Sequence, residues 1–147
     1  MDVVRFGEDY YDHFSPKTYL SYYYKAEGGK LEYFNEFALR GFHEFWSKQL
    51  ASKNLRDLEF GGGPSIFDLI AAAPYAEEII FAEYNEKNRE EMEKWLQKSP
   101  ESYDWLPYFK FVVQTLEGKN SDEAAIRESE LRKKIKHVLP CDIGWEV

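Results

Sequence analysis

Apolar residues recur along the chain with two different periods, and the alternation of those periods predicts the architecture. From Leu31 to Leu50 they fall at Leu31, Phe34, Phe37, Ala38, Phe42, Phe45 and Leu50, which is helical spacing with one buried face. Leu55–Phe60 alternates as a short strand, and Gly61-Gly62-Gly63-Pro64 turns the chain into a segment, 65–73, that reads as a helix ended by Pro74. A buried strand is predicted over 78–82, where Ile79-Ile80-Phe81 runs together. Asn85 then caps a helix to about Lys98 with Met92, Trp95 and Leu96 on one face. The run 109–115 reads as another strand. Ser121 is placed to cap a last long helix with Ile126, Leu131, Ile135 and Val138 as its apolar positions, and 138–143 is a final short strand.

Upstream of these elements, residues 1–17 read as an irregular arm. Pro16 is preorganised to open a helix from Lys17, and Gly28-Gly29 breaks the chain before the first long helix. Within the charged run 122–137, Glu128–Arg132 and Glu130–Lys134 have the spacing of helical ion pairs, so the run reads as a solvated helix face. Strands and helices that alternate in this way predict an α/β fold with a parallel sheet.

Composition narrows the function. The 147 residues are 44% hydrophobic, 31% charged and 18% aromatic, which suits one globular domain with a real core. A net charge of −8 argues against nucleic acid as the main partner, because phosphate binding calls for a basic surface. Three histidines without mutual ligand spacing and a single cysteine, Cys141, argue against a metal centre or a disulfide framework. With no apolar leader and no long apolar span, the expectation is a cytosolic protein with no membrane partner.

The chemistry concentrates at Glu59-Phe60-Gly61-Gly62-Gly63-Pro64, at the carboxyl end of a predicted strand. In open parallel sheets ligands bind at such ends, and glycines let the backbone turn sharply beneath them. Glu83 ends the next strand 20 residues after Gly63, the spacing at which an acid binds ribose hydroxyls. The pattern lacks the third glycine of dinucleotide sites and the Gly-Lys-Ser/Thr of a phosphate loop. A ligand with a ribose but no pyrophosphate, such as S-adenosylmethionine, suits it better. A glycine turn with no ligand is the alternative for this segment alone.

Three further stretches add specificity: Phe14-Ser15-Pro16-Lys17-Thr18-Tyr19-Leu20 leading into Tyr22-Tyr23-Tyr24, Gly61 through Phe67, and Glu93-Lys94-Trp95-Leu96 running on to Tyr103-Asp104-Trp105, with Cys141-Asp142-Ile143 after them. In this order they resemble the nicotinamide, phenylethanolamine and indolethylamine N-methyltransferases, a class I, Rossmann-like family, over nearly the whole chain from Phe14. The resemblance implies S-adenosylmethionine as cofactor and a small-molecule amine or pyridine as methyl acceptor. It implies that Tyr19 and Tyr24 close over the cofactor, that Gly61 and Gly63 line its methionine and ribose side, and that Glu83 accepts from the ribose. It places Asn88 beside the adenosine, and Asp142 and Ile143 at the adenine. Phe67 stands where the family often has a tyrosine for the cofactor carboxylate, so that contact is lost here.

The same resemblance implies more strands and helices after the Asp142 segment. The chain therefore reads as a partial fold, with an N-terminal lid and helix over 1–50 and the front half of the cofactor-binding core over 51–147, and is not expected to catalyse alone. Strand 55–60 becomes a sheet edge, and Arg56 and Asp57 would blunt it, yet it could still mediate self-association. A catalytically silent binding or regulatory relative is the main alternative. A nicotinamide-dinucleotide enzyme is a more distant one.

Overall fold

The computed structural model describes residues 8–142 and Gly144, with side chains from Tyr11 onward. Two short helices, α1 (Glu8–His13) and α2 (Pro16–Tyr23), precede a two-residue hairpin of β1 (Ala26–Glu27) and β2 (Lys30–Leu31). Helix α3 (Tyr33–Phe45) continues as a π-helical stretch over Trp46–Leu50. Then come β3 (Leu55–Phe60), a 3-10 turn (Phe67–Leu69), β4 (Ala76–Glu83) and α4 (Glu86–Leu96). Helix α5 (Leu106–Lys110), extended as a π-helix to Leu116, is followed by α6 (Glu123–Lys134) and β5 (Ile135–Pro140).

The architecture is α/β, as the alternation of periods predicts. Strands β3, β4 and β5 form a parallel sheet in that order, so β4 is central and β3 lies at an edge. Arg56 pairs with Glu78 across this edge at 3.1 Å.

Local signals account for several boundaries. Ser15 caps α2 by accepting from the Thr18 N–H at 3.3 Å, and Pro16 opens it. Asn85 caps α4 through the Lys87 N–H at 2.9 Å. Gly28 and Gly29, at φ of 59° and 81°, make the two-residue hairpin turn between β1 and β2. The expected pairs on α6 form, Glu128–Arg132 at 2.9 Å and Glu130–Lys134 at 3.5 Å.

Other expectations fail, each for a physical reason. The irregular arm contains α1, which Tyr11 and Lys87 tether: the Tyr11 hydroxyl donates to Glu86, and Lys87 Nζ donates to the Asp12 carbonyl at 2.8 Å. The strand expected over 109–115 is helical. Tyr108, Phe109, Val112 and Val113 are all fully buried, which is an i, i+1, i+4, i+5 pattern, and Asp104 caps the Leu106 N–H at 3.0 Å. The β-branched composition of the run concealed its helical period. The helix expected over 65–73 is reduced to i→i+3 turns, with Leu69 bonded to Ile66 and Ala72 to Leu69 at 3.0 Å each. Leu69 through Ala73 are buried on every side, so packing rather than an amphipathic face dictates their path. Ser121 does not cap α6, which starts after Asp122 without a side-chain cap. The last strand begins at Ile135 rather than Val138, taking Ile135, Lys136 and His137 out of the helix.

The face of α3 is also displaced. Phe34, Phe37 and Phe45 are 73%, 63% and 53% exposed, and Asn35, Leu39 and Trp46 face the core instead. The periodicity identified the helix but contained two adjacent apolar stripes, and contact with the core selected between them.

Candidate cofactor site

Two clusters meet at the glycine turn that follows β3. The first is centred on Glu83, the last residue of the central strand and only 5% exposed. Its Oε2 accepts from the Gly63 N–H at 2.8 Å. Its Oε1 accepts from the Asn85 N–H at 2.8 Å and from Asn88 Nδ2 at 3.2 Å. A buried carboxylate needs such donors to remain charged. Arg89 fastens the same strand end by donating to the Glu83 and Tyr84 carbonyls at 2.8 and 2.6 Å.

The turn itself is shaped by three glycines for two reasons. Gly61 and Gly63 have φ of 73° and 64°, the left-handed region, and a Cβ on either would meet nothing within 4 Å. The space over them is open to a ligand. Gly62 is different: a Cβ there would lie 2.4 Å from the Phe81 ring and 2.9 Å from Glu59 Cγ. The Gly61 N–H donates to the Ala82 carbonyl at 2.7 Å and ties the turn to β4.

The second cluster is aromatic. Tyr24 stands 5.2 Å from Phe67, 5.1 Å from Trp105 and 6.3 Å from Tyr19, measured between ring centroids, and Tyr103 donates to its carbonyl. Burial pushes the Tyr24 phenol up to about 12. A pocket of about 280 Å³ opens between α2, α3 and the 3-10 turn, walled by Tyr19, Tyr24, Phe34, Phe42 and Phe67 with Asp68 on its lining. The loop 61–67 joins the clusters, since Gly63 bonds Glu83 while Ser65, whose Oγ accepts from the Phe67 N–H at 3.0 Å, leads into the aromatic wall.

The structure thus brings Gly63, Glu83 and Asn88 into one hydrogen-bonded group, with Gly61 tied to the adjoining Ala82 carbonyl, and Tyr19, Tyr24 and Phe67 into one aromatic group. Asp142 follows β5, where the Cys141 N–H reaches the Glu83 carbonyl at 3.4 Å, and its carboxylate accepts from the Gly144 N–H at 2.8 Å. Ile143 lies outside the described residues.

Three contributors escaped the sequence reading. Asn85 is recognisable as a cap, but its N–H also holds Glu83. Gly62 looks like its neighbours, yet packing against Phe81 is what requires it. Asp68 carried no signal because the segment read as an ordinary helix. Among the described residues, Asn85 Nδ2 and Asn88 Oδ1 are buried without a hydrogen-bond partner, beside the Glu83 carboxylate. An open glycine turn and a fixed acid with acceptor sites to spare are what a ribose-bearing ligand calls for. No helix among the described residues is long and apolar enough to cross a membrane.

Comparison with known proteins gives a consistent answer. The model of the NNMT/PNMT/TEMT family matches residues 2–146. The chain is 37% identical over 139 residues to an indolethylamine N-methyltransferase of Oryctolagus cuniculus, covering 92% of this chain and 51% of the relative. It is 34% identical over 142 residues to the nicotinamide N-methyltransferase of Homo sapiens, with the same coverage of 92% and 51%. A phenylethanolamine N-methyltransferase of Sus scrofa is 31% identical over 137 residues, covering 90% and 47%. The chain spans about half the length of the curated relatives it matches.

Proposed function

We propose, since the chain belongs to the NNMT/PNMT/TEMT family, that it carries the S-adenosylmethionine site of an N-methyltransferase acting on small-molecule amines or pyridines. We assign residues 1–50 to a lid and its supporting helix, and 51–147 to the cofactor-binding core. The observation that carries the reading is Glu83, buried at the end of the central strand and bonded to the Gly63 N–H of the glycine turn.

Bound S-adenosylmethionine supplies an electrophilic methyl group, so the chain's own task is to bind, orient and exclude water. Glu83 is pre-oriented for ribose hydroxyls. A carboxylate has about four acceptor sites, and Oε2 takes only the Gly63 N–H. Asn88 turns its Nδ2 to Glu83 and so fixes the carboxylate from below. Gly61 and Gly63 leave the turn clear of side chains where the ligand backbone approaches. Tyr19 and Tyr24 cover the methyl-donor end, and their ring faces favour a cation there. Phe67 adds apolar cover but no hydrogen bond, so the carboxylate end of the cofactor depends on other donors. Asp142 and Ile143 complete the reading as the adenine contacts, and Asp142 keeps acceptor sites beyond the Gly144 N–H for the adenine amino group.

Calorimetric titration with S-adenosylhomocysteine tests the site. Saturable binding is expected, with a loss of at least about tenfold in Glu83→Ala, equivalent to the removal of a charge-assisted hydrogen-bond acceptor. A folded protein that shows no saturable binding would overturn the reading.

A further inference from the structure

The aromatic pocket beside α3 is lined by a carboxylate that has no counter-charge among the described residues. Asp68 lines it together with the rings of Tyr19, Tyr24, Phe34, Phe42 and Phe67. Among the described residues no Lys, Arg or His comes within ion-pair distance of Asp68. The charged side chain that it is shown to act on, Glu59, is itself acidic. Glu59 feels the repulsion of Asp68 and Asp57, and both Asp57 and Glu59 lie on the half-buried face of β3. Asp68 is open to solvent on one side at the pocket rim, and packing on the other side raises its carboxyl above the ordinary range.

An acid with no cationic partner among the described residues, beside six aromatic rings once Tyr23 is included, is an arrangement that a cation would relieve twice over. Ring faces attract cations through their quadrupole, and the carboxylate adds direct charge complementarity. At about 280 Å³ the pocket is at the small end of ligand sites, which run from about 300 to 1,000 Å³. It fits a compact charged group rather than a whole nucleoside. We propose that Asp68 is the charge selector of this pocket, which deepens the cofactor reading of Tyr19, Tyr24 and Phe67: it favours a sulfonium, alkylammonium or N-alkylpyridinium group over a neutral group of the same shape. Which of these cations occupies it rests on the proposed methyl transfer. The charge preference itself does not.

The test compares N-methylpyridinium with 4-methylpyridine, matched in size and differing in charge at pH 8, by calorimetry or protein-observed NMR. The cation is expected to bind at least about fivefold more tightly, and Asp68→Asn should remove most of that preference while leaving 4-methylpyridine within about twofold. Asp68→Glu, which keeps the charge, should restore part of it, and unchanged thermal unfolding would show that both variants fold. Displacement of N-methylpyridinium by S-adenosylmethionine but not by S-adenosylhomocysteine would identify the sulfonium as the occupant. Binding of N-methylpyridinium alongside S-adenosylhomocysteine would identify an acceptor or its methylated product. Equal affinity for the charged and neutral probes, or an Asp68→Asn protein as selective as the parent, overturns the proposal. Either result stands apart from the Glu83→Ala titration, so a failed cation site and a failed cofactor site are separable.

Discussion

Strands β3 and β4 lie side by side in one sheet and deliver the two halves of the candidate site, yet they are built in opposite ways. Strand β4 is central. Ile79 and Phe81 are fully buried, and it ends in the buried Glu83. Strand β3 is an edge that alternates between half-buried and exposed, leaving Leu58 and Phe60 58% and 56% exposed while Asp57 and Glu59 sit on its inner face. The acid of the site is therefore anchored in the core, whereas the glycine turn is carried by a strand with one open side. What holds that turn in place is its contact with β4: Gly61 bonds Ala82, Gly62 packs on Phe81 and Gly63 bonds Glu83.

The largest expected effect tests whether the core strand alone supports the site. Phe81→Ala removes a fully buried ring beneath both the sheet and Gly62, and should cost about 3–5 kcal/mol in chemical denaturation. The equivalent truncation on the edge, Phe60→Ala, should stay within about 0.5 kcal/mol. Similar losses at both positions would abolish the contrast.

Next in size is the contact between the strands. Gly62→Ala drives a methyl group against the Phe81 ring, and the buried ring has little room to yield. Overpacking of this kind should cost about 1–3 kcal/mol. The same change should displace the turn, lowering S-adenosylhomocysteine affinity by more than the stability loss alone explains.

The smallest effect concerns the acids on β3. Burial, reinforced by Asp68 and Asp57, pushes the Glu59 carboxyl up to about 7. Because the folded-state value is raised, the folded protein retains its proton more readily than the unfolded chain. That stability is fully present below about pH 4.5 and is lost as pH rises through 7. Glu59→Gln should accordingly unfold about 2–4 °C higher than the parent at pH 8, with the difference closing towards pH 4. A constant offset across that range would mean that the Glu59 charge is not what burdens the edge.

The site was more legible than several of the elements around it. Glu83 and the glycines were recognisable because their chemistry depends on spacing along the chain, and Asn85 because a cap is a local signal. Asp68 was not, since its meaning comes from Phe42 and Phe34 across the pocket, 26 and 34 positions earlier in the chain. The strand expected over 109–115 went wrong through weighing Val112 and Val113 as β-formers. The helix expected over 65–73 failed because Leu69 through Ala73 are buried on every side and packing sets their path.

By itself, then, the sequence determined the parallel α/β class, the opening of α2 at Pro16, the cap at Asn85, and the acid and glycines of the turn. All of these follow from interactions within a few residues or from a fixed period. Only the tertiary structure decided which stripe of α3 faces the core, that 106–116 is helical and 65–73 is reduced to 3-10 turns, and that Gly62 is required by Phe81. It also decided that Asp68 stands among aromatic rings with no cationic partner among the described residues. Those outcomes depend on which surfaces meet, and burial against distant partners outweighs the few tenths of a kcal/mol by which local propensities differ.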